Sequence, residues 1–197
     1  MSFPFPIDKV VVLDCYNGLV LCLCVEAAGS YYVICNPTTK NSRVLPPSIH
    51  AVGQARLGFD PTASSHFHVI EFVEEEDIEC LGVEIYSSQT IAWIYQESEW
   101  GQDIDDAIRS RSASVFLNGC LHIMGYSLIL IVDMEGKTWR KIPRPSGTLP
   151  SIHQAHDHLC VCTVGSVGGH NMSKLSVYIL EDYATNKWTL KHTIWKH

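Results

Sequence analysis

The chain is poor in charge. Asp, Glu, Lys and Arg make up 18% of it, and 14 Lys and Arg stand against 21 acids, a net charge of −7. A surface of that sign repels phosphate backbones, so a nucleic-acid partner is not expected. The densest basic spot, Arg109 and Arg111, is diluted by Asp103, Asp105 and Asp106. Long apolar runs are also missing. The longest, residues 18–25, is eight residues, against the ~20 a membrane helix needs. No membrane partner is expected. The opening Met1-Ser2-Phe3-Pro4-Phe5-Pro6 lacks the basic and apolar regions of a secretion signal. A cytoplasmic or nuclear protein is expected, with its eight cysteines reduced. Most sit in apolar stretches, as Cys22, Cys24, Cys160 and Cys162 do, and act there as small hydrophobes.

Signatures of chemistry are equally thin. Gly-x-Ser-x-Gly is absent. The Gly-rich stretch Gly165-Ser166-Val167-Gly168-Gly169 lacks a lysine and a following helical pattern, so it reads as a hairpin loop rather than a phosphate cradle. His153, His156, Asp157, His158, Cys160 and Cys162 cluster, but not at the spacing of paired zinc ligands. They read as strand and loop residues. A sugar-processing enzyme would need paired carboxylates converging at one site. Asp14, Asp60 and Asp133 lie at strand ends, where turns account for them. No catalytic residue, metal or cofactor is expected.

Helical periodicity is almost absent too. The best attempt, residues 100–110, is acidic and has only Ile104, Ala107 and Ile108 as apolar residues. What the chain has instead is short β-rich runs bounded by Gly, Pro, Asn and Asp. Sixteen strands are predicted in four sets: 10–14, 18–26, 30–36 and 42–45; 54–59, 66–73, 80–86 and 91–96; 112–117, 119–125, 128–133 and 138–142; 151–155, 158–165, 174–181 and 187–194. Several are apolar on both faces. Phe67, Val69 and Val73 oppose Ile70 and Phe72; Leu175, Val177 and Ile179 oppose Tyr178 and Leu180. A strand buried on both faces needs a layer on each side, which stacked sheets provide.

The sets repeat. A polar turn joins an apolar strand to a short one at residues 36–46, 86–93, 133–143 and 181–190. It begins with Asn36-Pro37 in the first copy. The position that is Trp93, Trp139 and Trp188 in later copies is Ser42 in the first, with spacings of 51, 46 and 49 residues. Asn17-Gly18 and Asn118-Gly119 lie 101 residues apart, two such periods. β-Propeller blades repeat in this range. The expected fold is all-β: about four four-stranded antiparallel blades, near 10–46, 53–96, 112–143 and 151–194, in one domain with an inter-blade loop at 97–111. Asn-Gly and Asn-Pro supply the turns, and each Trp caps an apolar blade face.

These residues carry a family resemblance. Asp14-Cys15-Tyr16-Asn17-Gly18-Leu19-Val20-Leu21-Cys22, then Ile34-Cys35-Asn36-Pro37-Thr38-Thr39-Lys40 and Leu45-Pro46-Pro47, resemble the opening blade of plant F-box-associated β-propeller domains. Leu57-Gly58-Phe59-Asp60-Pro61 resembles the "GFDP" segment of the next blade, and Val83-Glu84-Ile85-Tyr86-Ser87-Ser88-Gln89-Thr90 its later turn. Asn118-Gly119-Cys120-Leu121-His122 and the residues from Glu181 to His192 continue the pattern, which spans residues 11–192. The resemblance implies substrate recognition in a cullin-type ubiquitin ligase. In that family a helical F-box precedes the propeller and docks on the ligase adaptor. Here only Met1 to Lys9 precede the first blade, too few for that segment, and the chain ends where family members usually continue.

The expected function is therefore capture of a protein target, beside a ligase component supplied by another chain or in competition with full-length relatives. Four blades form either a closed ring or an open one, and an open one would self-associate through its end faces. Partner-binding residues are expected on the loops: the acidic run Glu74, Glu75, Glu76 and Asp77, which would steer a basic partner, Trp100 in the longest loop, and His170.

Overall fold

The turns fix the architecture. Asn17 and Gly18 (φ 46° and 81°) form a two-residue hairpin loop between Tyr16 and Leu19, and Asn118 and Gly119 (φ 52° and 73°) form another between Leu117 and Cys120. Asn and Gly reach positive φ at little cost, and such turns match the twist of paired strands. The computed structural model describes residues 8–50, 54–75, 78–97, 113–166 and 173–196. Their secondary structure is all β, with sixteen strands.

Four sheets result, each a four-stranded antiparallel meander in chain order. The first holds β1 (Lys9–Tyr16), β2 (Leu19–Glu26), β3 (Gly29–Asn36) and β4 (Asn41–Val44). The second holds β5 (Ala55–Gly58), β6 (His68–Glu75), β7 (Ile78–Ser87) and β8 (Ala92–Glu97). The third holds β9 (Ser114–Leu117), β10 (Cys120–Met124), β11 (Leu128–Asp133) and β12 (Trp139–Pro143). The fourth holds β13 (Thr148–Ala155), β14 (His158–Ser166), β15 (Ser173–Asp182) and β16 (Lys187–Lys196). All sixteen predicted strands are present. β13 starts three residues earlier than predicted, with its register broken between Thr148 and Ser151, where Pro150 has no N–H to give.

The repeated outer turn is one device used four times. An Asn, Asp or Ser side chain ends the third strand and accepts backbone N–H groups two or more residues on. Asn36 Oδ1 accepts from Thr38 and Thr39, Ser87 Oγ from Gln89, Asp133 Oδ1 from Glu135 and Lys137, and Asp182 Oδ1 from Ala184. A residue of positive φ then returns the chain: Lys40 (58°), Ile91 (57°), Gly136 (69°) and Asn186 (55°). The Thr185 hydroxyl and then the Ala184 amide hold the Asp182 carboxyl below its usual pKa.

The chain forms two compact units, residues 1–105 with Asp133–Thr138, and residues 106–132 with 139–197. In the first, the inner face of sheet one (Leu19, Leu21, Tyr32, Ile34) packs on Ala55, Leu57, Val69 and Tyr86 of sheet two. Burying each such large side chain contributes about 1.5–3 kcal/mol. In the second, Leu121, Ile123, Ile129, Leu159, Val161 and Leu180 are buried at 0–1% exposure.

Candidate functional site

Within the first unit, polar links flank the apolar contact between the two sheets. The register of β1 shifts between Val12 and Asp14. This bulge lets Leu13 pack on the core while the Asp14 carboxylate accepts from Leu57 N at 2.9 Å. The Asn17 side-chain amide donates to Phe59 O at 2.8 Å, so this residue makes its own turn and holds the next blade. The Trp93 indole N–H donates to Pro46 O at 2.9 Å, with its ring against Tyr86 and Tyr32.

The fourth link is a clamp on the segment after β4. Leu45 N extends the β3–β4 pairing by donating to Tyr32 O. Two prolines then stop the ladder, and the backbone turns over sheet two. There Ile49 N donates to both oxygens of Glu84 at 3.1 Å, His50 N to Oε2 at 3.3 Å, and His50 Nδ1 lies 2.9 Å from Oε1. Glu84 is fully buried in the middle of β7, opposite the buried Glu71 of β6. A buried carboxyl group is tolerated where donors such as these satisfy its oxygens. The His50 ring lies tilted against Tyr95, with centroids 4.9 Å apart, and the His50 backbone carbonyl accepts from Ser48 Oγ.

Beside the clamp lies a recess of about 190 Å³, lined by Ser30, Tyr31, Tyr32, Pro46, Pro47, Ser48 and His50. Tyr31 is tied to its own sheet: its hydroxyl donates to Glu26 at 2.6 Å, which pushes its pKa to about 12. Rings of tyrosine and proline with a few hydroxyls and one imidazole suit the docking of a side chain or short peptide segment. Among the described residues, no three His, Cys, Asp or Glu side chains converge as metal ligands.

The second unit joins its sheets in a related way. The Trp188 indole N–H donates to Pro143 O at 2.9 Å. Arg140 donates to the Tyr183 carbonyl and to Asn186 Oδ1. His122, 1% exposed, has Nδ1 3.2 Å from Cys120 O and Nε2 3.1 Å from the Tyr183 hydroxyl. The Cys120 carbonyl takes the Nδ1–H of the neutral ring, which leaves Nε2 to accept from the Tyr183 hydroxyl; it is burial, acting against that carbonyl, that keeps the ring neutral. Burial pushes its pKa down to about 4.

Of the expected partner-binding residues, Glu76, Asp77, Trp100 and His170 lie outside the described residues. Glu74 and Glu75 are the last residues of β6, and their side chains lie outside them too. Asn17-Gly18 and Asn118-Gly119 form hairpin loops, Asn36 ends β3, and Trp93, Trp139 and Trp188 stand on β8, β12 and β16. The Glu84–His50 clamp and the His122–Tyr183 contact were not foreseen. Their one sequence signal is a polar residue inside an apolar strand, as in Val83-Glu84-Ile85 and Leu121-His122-Ile123.

The profile of the F-box associated beta propeller domain matches residues 3–142, more than half of the chain. The chain belongs to that family. An F-box protein of Arabidopsis thaliana, At5g49610, is 27% identical over 221 residues; the match covers 98% of this chain and 58% of the relative. The chain thus spans less than two thirds of that relative's length. Within an F-box associated domain, Asn17, Trp93 and Glu84 hold blade to blade, and the recess by Pro46 and Pro47 opens beside that joint.

Proposed function

We infer that this chain is a protein-binding module that recognises a target for a ubiquitin ligase of the F-box type. The supporting observation is membership of the F-box associated β-propeller family. The four-sheet architecture fits this reading, since propellers present rigid loop clusters to partners. The module binds its target and does not convert it. It works in the cytoplasm or nucleus, where the seven described thiols, all free, stay reduced. The recess of Tyr31, Pro47 and His50 is its contact point in the first unit.

The test is crosslinking of the full chain in plant cells, with mass spectrometry of the captured proteins and measurement of their turnover. Captured proteins that are lost through ubiquitination, and protected when this chain is overexpressed or destabilised when it is fused to an F-box, support the reading. Captured proteins whose turnover ignores both manipulations overturn it.

A further inference from the structure

The recess beside the Glu84 clamp exists because a strand pairing stops early. β3 and β4 pair from Asn36 and Asn41 to Val33 and Val44, and Leu45 N extends the ladder by donating to Tyr32 O. In that register the next positions would set Tyr31 against Pro46 and Ser30 against Pro47. Neither proline has an N–H to give, and the chain leaves the edge there. β3 itself runs on to Gly29.

The alternation of the ladder sets which way Ser30 turns its backbone groups. Tyr32 O points to the β4 edge, and residues two apart point the same way. Val25, the β2 partner of Ser30, agrees. Its carbonyl accepts from Asp8 N on the β1 side, so the Val25–Ser30 pair exchanges no bonds. The N–H and C=O of Ser30 therefore face the recess. Among the described residues, no backbone group bonds them there. A strand edge with a free donor and acceptor is a template for another extended chain.

Charge narrows what that chain carries. No Lys or Arg lines the recess. Two of the lining residues are each bound to an acid, His50 to Glu84 and Tyr31 to Glu26. Glu84 is buried, and its oxygens are taken by the Ile49 and His50 amides. Glu26 is half-buried, and among the described residues no Lys or Arg pairs with it. A carboxylate beside a tyrosine, next to an apolar wall of Pro46 and Pro47, suits a cationic side chain, arginine above all.

We propose that the recess takes an extended peptide segment with a basic residue, its backbone pairing with Ser30 at the free edge of β3 and its basic side chain lying against Tyr31 and Glu26. This deepens the target-capture reading and rests on it, since it names the chemistry of the captured segment. Such a site is weak alone, with one exposed ion pair and a single paired residue.

Amide chemical shifts of the isotope-labelled full chain, titrated with acetyl-Val-Arg-Val-methylamide, test it. The amides of Ser30, Tyr31 and His50 should shift and approach saturation at roughly millimolar peptide. Glu26→Gln should weaken the peptide about threefold. The same peptide with N-methylated backbone amides should lose binding, because it has no N–H to give to Ser30. A peptide with Glu in place of Arg should not bind. Absence of saturable shifts at these amides overturns the proposal. So does equal binding by the Glu peptide or the methylated peptide, or undiminished binding by the Glu26→Gln chain. A peptide that fails while captured proteins are still lost through ubiquitination removes this site and keeps the ligase role. A peptide that binds while turnover ignores the chain keeps the site and removes that role.

Discussion

The indole N–H of Trp93 reaches back 47 residues to the carbonyl of Pro46, at 2.9 Å. Trp188 makes the same bond to Pro143, 45 residues back, in the second unit. Both prolines end a short outer strand or follow it, and neither needs its carbonyl for a sheet partner. The bond therefore couples consecutive blades without competing with the ladders.

Trp93→Phe should keep most of the ring packing and lose only this bond. A cost of about 1 kcal/mol is expected, with about 3 kcal/mol or more for Trp93→Ala, which also empties the space against Tyr32 and Tyr86. Urea unfolding measures both. Equal losses for the two variants would show that packing contributes nothing beyond the bond.

Ile91 holds φ 57°, in a region that crowds a β-branched side chain, and its own side chain is 55% exposed. The same turn position is Lys40 and Asn186 in the first and fourth copies, and in the third the positive φ falls one residue earlier, on Gly136. Ile91→Asn and Ile91→Gly should stabilise the protein by about 1 kcal/mol, since the strain is relieved and little burial is lost. An unchanged or lower unfolding midpoint for both would count against strain at this turn.

Acid should loosen the second unit through His122. Its ring stays neutral in the folded protein down to about pH 4, whereas an unfolded histidine takes up a proton near 6.5. Below pH 6.5 the unfolded state binds more protons. Stability from this group is therefore complete above 6.5 and falls as pH drops toward 4, by on the order of 3 kcal/mol. His122→Phe should flatten the slope of unfolding free energy against pH across this window. Tyr183→Phe, which removes the hydroxyl but leaves the histidine buried, should leave a slope. If His122→Phe and the unaltered chain show the same slope, the ring does not titrate as its burial implies.

The strands and turns were legible because alternation, Asn-Gly pairs and the Trp repeat act locally: each needs only a few neighbouring residues to be right. The joints were not. Asp14 reads as a turn residue at a strand end, yet its carboxylate serves Leu57 N, 43 residues away. Glu84 reads as an acid interrupting an apolar strand, and only the return of residues 45–50 shows why its burial is tolerated. The tryptophans read as caps on apolar faces, which is half of their role; the indole N–H acts on a carbonyl that no local pattern points to. The candidate recess depends on such a return as well, since Pro46 and Pro47 meet Ser30 and Tyr31 only once the chain has folded back.

Glu84 is the residue on which the shape of that recess rests. Its oxygens accept two backbone N–H groups and face the His50 ring, and its burial is complete. Glu84→Gln keeps the size but replaces one accepting oxygen with an NH₂ group aimed at donors. A loss of about 2 kcal/mol is expected, with faster hydrogen exchange at the Ile49 and His50 amides. His50→Ala should cost less, about 1 kcal/mol or below, because its side chain is 36% exposed and the backbone donors remain. The order of the two effects decides which donors hold the loop. A His50→Ala loss as large as that of Glu84→Gln would make the imidazole the principal partner, and the backbone amides secondary.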